Sequence, residues 1–525
     1  MKTSTNKSHY PTCILLIMLI LYFTLMCVVN FLSPPSYYNS DMYSDIILAE
    51  KMWAEKTIFP NNWIFGNQLY VAATPVLSAL FCGLVTDPYL AMGMASTVMV
   101  AAIFVSFIWM LKPALPSLED RLYGLVYFVG IVLFFGDAAI KLRGWQLLFT
   151  MCSYYACYAI TVFLAFGCCL RSKQRWGRSF YVILVSTCLL CFATGIQSLR
   201  QTMIMTVPLF AVELLNVINR TLQKKQPFTK SFFVSCAIST SNLAGVIVKN
   251  YINVSQREIF GSITFLHPAE IPSAIVESFS TIIDLFMSYS TKGMIASVFY
   301  LVLNVLLFAV LLVKFQKAKN HAAITILMLF AASVGCIWGI DIISGISVRD
   351  IYYFMLYPFL AVLAMYAYAE AKNISKYLLL LALLCLSLLN IPRHVLPLTE
   401  DFINRDDEIG YEISDYLEEN NFTVAFGLWD FGDEIAVASK GSLKMQFWRD
   451  DATFSLFNSL RESEIYDDSI DKIVYVFYDE GVLEEGMEYA AALNAELTVL
   501  KQYPEENIYL CTASENLIQL HASQH

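Results

Sequence analysis

Uninterrupted apolar segments constrain the fold of this chain more than any other feature of its sequence. The first runs from Cys13 to Leu32, and similar segments recur as far as residue 391. About 20 apolar residues in a helix cross the hydrocarbon core of a bilayer, where each backbone polar group needs a partner within the protein. Because 57% of the residues are hydrophobic and only 15% are charged, we predict a mainly α, polytopic membrane protein.

Lysine and arginine residues predict the orientation of the spans, because basic loops stay in the cytoplasm. We predict a plasma-membrane protein with its N-terminus in the cytoplasm and its C-terminus outside. The first segment lacks a small-residue cleavage site, so we interpret it as an uncleaved anchor. The eleven predicted spans cover residues 11–32, 89–111, 121–136, 146–170, 179–196, 201–219, 231–249, 292–313, 322–344, 350–369 and 376–391.

One apolar run, Leu69–Val85, is left out of these spans. Pro75 and Gly83 interrupt it, and a span there would place every later basic loop outside the cell. We therefore predict an interfacial or re-entrant segment, with a twelfth span as the alternative.

The C-terminal tail differs in character from the rest of the chain. From Glu400 to the end it contains 28 acidic and 7 basic residues, whereas the whole chain has a net charge of −10. We predict a membrane domain over residues 1–398, with an extracytoplasmic first loop at 33–88, and a small soluble α/β domain over 399–525. Within that domain LWDFGDE, with Trp429, Asp430 and Asp433, is interpreted as a loop after a strand, with a binding site as the alternative.

The first loop carries the densest polar chemistry, in the stretch YYNSDMYSDIILAEKMWAEKTIFPNNW. Asp41 and Asp45 are four residues apart and share one helix face. A carboxylate at the membrane rim can act as a general base, although Asn39, Ser40 or Asp41 could instead cap the helix. Aromatic residues of this loop stack on a sugar or anchor the loop at the interface. These residues are Tyr43, Trp53 and Trp63.

Later loops on the predicted outer face add one acid and several cations. A divalent metal bridging Asp41 and Asp137 is one interpretation, but two acids make a weak signal and no other cofactor is indicated. Lysine and arginine are uncommon in outward loops. Their presence here is explained either by snorkelling to the interface or by binding of a lipid-linked phosphate. The cations are Lys141, Arg143, Arg200 and Arg349.

The acidic pair after the first span, followed by a long loop that rejoins the membrane, resembles the GT-C group of integral-membrane glycosyltransferases. That group includes protein O-mannosyltransferases and lipid A aminoarabinose transferases. The resemblance implies that Asp41, or Asp45 as second choice, is the catalytic aspartate and that Asp137 is the second acidic position. It also implies a polyprenyl-phosphate or polyprenyl-diphosphate sugar donor. The first loop lacks the Lys-Pro-Pro element of some transferases, and the single Asp137 leaves metal use open.

Several stretches resemble, more closely, a family of bacterial multi-pass membrane proteins of unknown substrate. These stretches are SDMYSDIILAEKM, NNWIFGNQLYV, TGIQSLRQTMIMTVPLF, SNLAGVIVKNYI and VAFGLWDFGDEIAVASKG.

Together these features predict a glycosyltransferase that moves a sugar from a polyprenyl-phosphate lipid to an extracytoplasmic glycan or protein. Asp41 is the expected general base, and inversion follows from one direct displacement. Arg349 and Arg200, with Lys141 or Arg143, are expected to hold the departing phosphate. A flippase for lipid-linked glycans and a non-catalytic membrane scaffold are the alternatives. Membrane lipids are expected partners, and nucleic acid is not.

Overall fold

The fold was analysed in a computed structural model of the chain. It describes residues 10–32, 38–66, 68–135, 147–172, 174, 176–255, 265–286, 321–344, 350–372, 374–403, 409–448, 454, 461–462 and 472–524.

A bundle of apolar helices makes up most of the chain. In chain order they are α1 (Tyr10–Leu32), α2 (Ser40–Glu55), α3 (Thr74–Phe81), α4 (Pro88–Leu111), α5 (Leu118–Phe135), α6 (Ala156–Arg171), α7 (Arg178–Gln197), α8 (Val207–Leu222), α9 (Lys230–Lys249), α10 (Ile271–Asp284), α11 (His321–Ile343), α12 (Leu356–Glu370) and α13 (Ile374–Ile403). Within the described residues, seven segments are long and apolar enough to cross a membrane. The mainly α, polytopic fold is thereby confirmed.

The centre of the bundle is α5. Its residues from Arg121 to Phe135 are all buried, and it packs against α1, α12 and α13. Aromatic rings fill the space around it, including Phe107 stacked on Phe128 with centroids 5.2 Å apart. A helix that is apolar on all sides is expected to be enclosed by others.

Two predicted spans differ from the structure, and one lies outside it. The predicted span 146–170 is wrong in its first part, because residues 149–155 form turns and α6 begins only at Ala156. The last helix, α13, continues beyond the predicted end at residue 391 to Ile403. The predicted span 292–313 lies outside the described residues.

The segment Leu69–Val85 contains no helix long enough to cross a membrane. It contains only α3, whose eight residues rise about 12 Å, well short of the roughly 30 Å of a hydrocarbon core. That the segment is interfacial or re-entrant stays a prediction.

The C-terminal region forms a five-stranded sheet with helices around it. The sheet order is β3-β2-β5-β7-β6. Strands β3, β2 and β5 are parallel to one another, and β7 is antiparallel to both of its neighbours, β5 and β6. The predicted small α/β domain is confirmed. Its elements are α14 (Ile409–Glu419), β2 (Val424–Leu428), α15 (Trp429–Ala438), β3 (Lys444–Trp448), β5 (Ile473–Phe477), α16 (Glu480–Ala492), β6 (Leu497–Tyr503), β7 (Ile508–Ala513) and α17 (Leu517–Gln524). Two further strands, β1 (Trp63–Ile64) and β4 (Arg461–Glu462), form a separate ladder.

The stretch LWDFGDE is helical, so the expected loop is wrong. Helix α15 begins at Trp429, directly after β2. Gly432 lets the helix lie close to the sheet, because a Cβ there would collide with the side chains of Phe447 and Met445 on β3. Contacts from outside the stretch therefore stabilise a helix that its glycine and acids disfavour locally.

Candidate active site

Helix α2 of the first loop carries both predicted catalytic acids. Asn39 caps its N-terminus, since the Asn39 Oδ1 accepts a hydrogen bond of 3.1 Å from the backbone N–H of Met42. Asp41 therefore lies in the first turn and is not the cap residue. Its position near the positive end of the helix dipole favours the ionised carboxylate.

The two acids have different surroundings. Asp41 is partly exposed, whereas Asp45 is 2% exposed. The Tyr70 hydroxyl donates to Asp45, but the buried Asp45 Oδ2 has no hydrogen-bond partner in the described part of the chain. Burial raises the pKa of Asp45 well above its usual value, and the nearby Asp41 adds to the rise, while the Tyr70 hydrogen bond opposes it. Asp45 thus favours the neutral acid.

The turn at 147–155 faces this acid pair. Cys152 and Tyr154 lie within electrostatic range of both acids, and the Cys152 thiol donates to the carbonyl oxygen of Met42 at 3.5 Å. Met151 and Ser153 have φ values of 57° and 43°, which cost strain in residues with side chains. A strained turn held against two acids is the kind of arrangement found at functional sites.

Asn30 on α1 fixes the same turn. Its side chain accepts a 2.7 Å hydrogen bond from the Met151 N–H and donates to the Phe149 carbonyl at 3.3 Å. Asn30 is fully buried. Its side chain therefore supplies hydrogen-bond partners to backbone groups of the turn that water does not reach. The hydroxyl of Thr74 adds a 3.4 Å bond to the carbonyl of Ser153.

Arg200 lies against the ring of Tyr155, the last residue of the turn that faces the acids. Tyr155 interacts electrostatically with both Asp41 and Arg200. The guanidinium carbon of Arg200 lies 4.4 Å from the Tyr155 ring centroid, 4.7 Å from that of Tyr352 and 5.6 Å from that of Tyr158. No carboxylate of the described residues forms a salt bridge with Arg200. A partly buried cation without an acid partner is suited to a bound anion.

A chain of side-chain hydrogen bonds links the acid pair to the segment before Arg200. Tyr70, which bonds Asp45, also bonds Gln68. The Tyr158 hydroxyl donates to Gln68 Oε1 at 3.0 Å and accepts from Gln197 Nε2 at 3.0 Å. The first loop and the Arg200 segment are therefore held in one network.

Gln197 also binds the backbone of the first loop. Its side-chain oxygen accepts hydrogen bonds from the N–H groups of Val71 and Ala72, at 3.3 and 3.1 Å. Its backbone oxygen accepts from the Leu69 N–H at 3.0 Å. A π-helical turn over Thr202–Thr206 follows Arg200, and such turns are frequent at functional sites.

The aromatic residues predicted for the substrate loop have separate positions. Tyr43 and Trp63 are each 2% exposed, so neither is open to a ligand in this arrangement. Trp53 is 38% exposed and packs on the loop after α3, where a Cβ at Gly83 would collide with its indole. Its contacts fit the anchoring interpretation, and sugar stacking stays a prediction for Trp53.

Four predicted site residues lie outside the described residues: Asp137, Lys141, Arg143 and Arg349. The described residues contain no group of three or more His, Cys, Asp or Glu side chains that could hold a metal ion. The bridge between Asp41 and Asp137 stays a prediction, because Asp137 lies outside the described residues.

Sequence patterns did not identify the residues that surround the acids and Arg200. Tyrosine is common in this chain, with 30 residues, so no single tyrosine stands out. The doublet Tyr154-Tyr155, near the start of the predicted span 146–170, was a local signal that could have been used. The residues missed are Asn30, Gln68, Tyr70, Cys152, Tyr154, Tyr155, Tyr158, Gln197 and Tyr352.

Comparisons with known proteins identify the fold. The chain is similar to the crystal structure of ArnT from Cupriavidus metallidurans bound to undecaprenyl phosphate, with a TM-score of 0.54 and 10% sequence identity. The match covers 97% of this chain and 98% of that one. No protein-family model matches the sequence, and no curated protein does so significantly. The resemblance to the GT-C aminoarabinose transferases is thus confirmed at the level of fold.

Proposed function

We propose that this protein is a membrane glycosyltransferase that moves a sugar from a polyprenyl-phosphate lipid to an extracytoplasmic acceptor, with inversion. One observation carries the proposal: Tyr155 lies within electrostatic range of both the partly exposed Asp41 and Arg200, an arginine that has no carboxylate partner among the described residues. The fold similarity to ArnT, whose crystal structure contains undecaprenyl phosphate, supports the choice of donor.

Asp41 acts as the general base in the proposed reaction. The acceptor hydroxyl approaches the anomeric carbon, and its proton moves to the Asp41 carboxylate as the new carbon–oxygen bond forms. The bond from the anomeric carbon to the phosphate oxygen breaks on the opposite side, which inverts the configuration. The first turn of a helix, where Asp41 lies, favours its ionised form in the resting state.

Arg200 receives the phosphate that leaves. The departing group gains negative charge as the glycosidic bond breaks, so a fixed guanidinium stabilises the transition state more than the ground state. Three tyrosine rings orient the guanidinium, and Tyr352 accepts a hydrogen bond from it. Arg349, Lys141 and Arg143 stay predicted phosphate ligands, and Asp137 a predicted second acid.

The proposal places the end of the bundle that carries α2 outside the plasma membrane, together with the C-terminal domain. This orientation follows from the basic loops at the opposite ends of the helices. The proposed domains are residues 1–398 and 399–525, with the first loop at 33–88.

Transfer of labelled sugar tests the proposal directly. Purified protein in lipid is supplied with a panel of polyprenyl-phosphate sugars, and release of label from the lipid is followed. We expect release by the wild type and at least about a hundredfold slower release by Asp41→Asn, the usual range for loss of a general base. Asp415→Asn, an exposed acid of α14, is the matched control and retains the wild-type rate.

Two results would overturn the proposal. Absence of release from every donor, with a folded wild-type protein, would exclude the transferase. Movement of intact lipid-linked sugar across the bilayer, equal in wild type and Asp41→Asn, would instead establish the flippase alternative.

A further inference from the structure

The C-terminal domain packs directly on the helix that carries the acid pair. Helix α15 lies against α2, and Val437 of α15 belongs to the apolar cluster formed mainly by the first loop. In return, Ile47 of α2 packs against the apolar cluster of the C-terminal sheet. The two regions therefore share a continuous core at this contact.

One polar contact lies within this apolar interface. The Tyr43 hydroxyl donates a hydrogen bond to the Glu434 carboxylate. Burial raises the pKa of Glu434 to about 7, and the Tyr43 bond opposes the rise. Helix α14 closes the site from the other side, because a Cβ at Gly410 would lie 2.8 Å from the Glu434 Oε1. Glu434 is thus enclosed by elements of both regions.

Tyr43 is placed to control the direction of the acids. It lies two residues after Asp41 and two before Asp45, and residues two apart on an α-helix point to nearly opposite sides. Its ring stacks on Tyr38 with centroids 5.4 Å apart and meets Tyr89 edge-on at 6.4 Å. Fixing Tyr43 therefore fixes the rotation of α2 and the direction in which both acids point.

A second attachment joins the same regions. Strands β1 and β4 pair in antiparallel register, with Trp63 opposite Glu462 and Ile64 opposite Arg461. The first loop is thereby attached to the C-terminal domain at α2 and again at β1.

We infer that Glu434 is a positioning residue, through which the C-terminal domain holds α2 in the rotation that the acid pair requires. Glu434 acts through Tyr43 and does not touch the substrate. The inference rests on the proposed function for its effect on transfer, whereas its effect on α2 can be measured without any substrate.

The experiment compares Glu434→Ala, Glu434→Gln and Tyr43→Phe in the full-length protein in lipid. Glutamine keeps a side-chain oxygen that can accept the Tyr43 hydrogen bond, so it is the rescue variant. We expect kcat to fall about tenfold in Glu434→Ala, which corresponds to about 1.4 kcal/mol, with the donor KM unchanged. We expect kcat within about twofold of wild type in Glu434→Gln. Glu418→Ala, an exposed acid on α14, is the control.

Hydrogen exchange of the amides of residues 40–55 is the second readout. We expect faster exchange in Glu434→Ala and Tyr43→Phe, no change in Glu434→Gln and Glu418→Ala, and no further change when the alanine and phenylalanine variants are combined. Equal exchange and equal kcat in wild type and Glu434→Ala would overturn the inference. Faster exchange in a protein whose wild type transfers no sugar would support the α2 contact and reject the proposed function.

Discussion

The unequal burial of the two first-loop acids makes a prediction that separates their roles. Asp41 is partly exposed and Asp45 is 2% exposed, although the two lie one helical turn apart. If Asp45 is neutral in the resting protein, replacement by asparagine removes no charge. The asparagine oxygen still accepts the hydrogen bond from Tyr70, and its NH₂ group occupies the position of an oxygen that had no partner among the described residues.

The expected magnitudes differ widely. Asp41→Asn removes the base and lowers kcat by about 10²–10⁴-fold, which corresponds to about 2.7–5.5 kcal/mol. Asp45→Asn lowers kcat by no more than about threefold, or roughly 0.7 kcal/mol. Tyr70→Phe leaves the Asp45 carboxyl with no partner among the described residues and falls between the two, at about 1–2.5 kcal/mol.

The assay is the initial rate of sugar release, measured at saturating donor for the wild type and the three variants. Folding of each variant is checked by its thermal midpoint in the same lipid. The reasoning is refuted if Asp45→Asn is as inactive as Asp41→Asn while its thermal midpoint is unchanged. An inactive Asp45→Asn beside an active Asp41→Asn would transfer the role of base to Asp45.

Two further predictions concern Arg200 and pH. Arg200→Lys keeps the charge but loses the planar group that three tyrosine rings contact. Because Arg200 is proposed to stabilise the leaving phosphate in the transition state, kcat falls about tenfold. Arg178→Lys is the control, and an unchanged kcat contradicts the phosphate role. Because burial raises the pKa of Glu434 to about 7, the folded protein binds this proton more tightly than the unfolded chain. The free energy of unfolding therefore falls as pH rises from about 5 to 7, by up to about 1.4 kcal/mol per unit. Glu434→Gln flattens this dependence of the free energy of unfolding on pH. Equal pH dependence in thermal melts of the wild type and Glu434→Gln would exclude Glu434 as its cause.

The sequence predicted the features that depend on local pattern. The apolar length of a segment decides whether it can span a bilayer, and the interruption of Leu69–Val85 by Pro75 and Gly83 agrees with the short helix found there. The spacing of Asp41 and Asp45 placed both acids on one helix. In the tail, the predicted small α/β architecture agrees with the five-stranded sheet and its helices.

Features that depend on distant contacts could not be predicted in this way. The turn at 147–155 is apolar, and its sequence predicts part of a span. The turn is stabilised by a hydrogen bond between Phe149 and Asn30, which lies 119 residues earlier in the sequence. The sequence LWDFGDE predicts a loop, but in the structure contacts with α2 and with the sheet stabilise a helix there. The tyrosines around Arg200 come from α6, its preceding turn and the segment before α12, so their convergence follows from the fold alone.

The two-residue ladder between β1 and β4 also affects how the protein matures. Trp63 pairs with Glu462, so the first loop is synthesised almost 400 residues before its partner. Pairings between such distant segments form late, because the chain must first lose the entropy of closing the intervening loop. During synthesis, the face of α2 that later meets α15 stays uncovered and Tyr43 lacks Glu434. The last segment to be made thus completes the structure around the acid pair, and an unfinished chain carries those acids without the contacts that orient them.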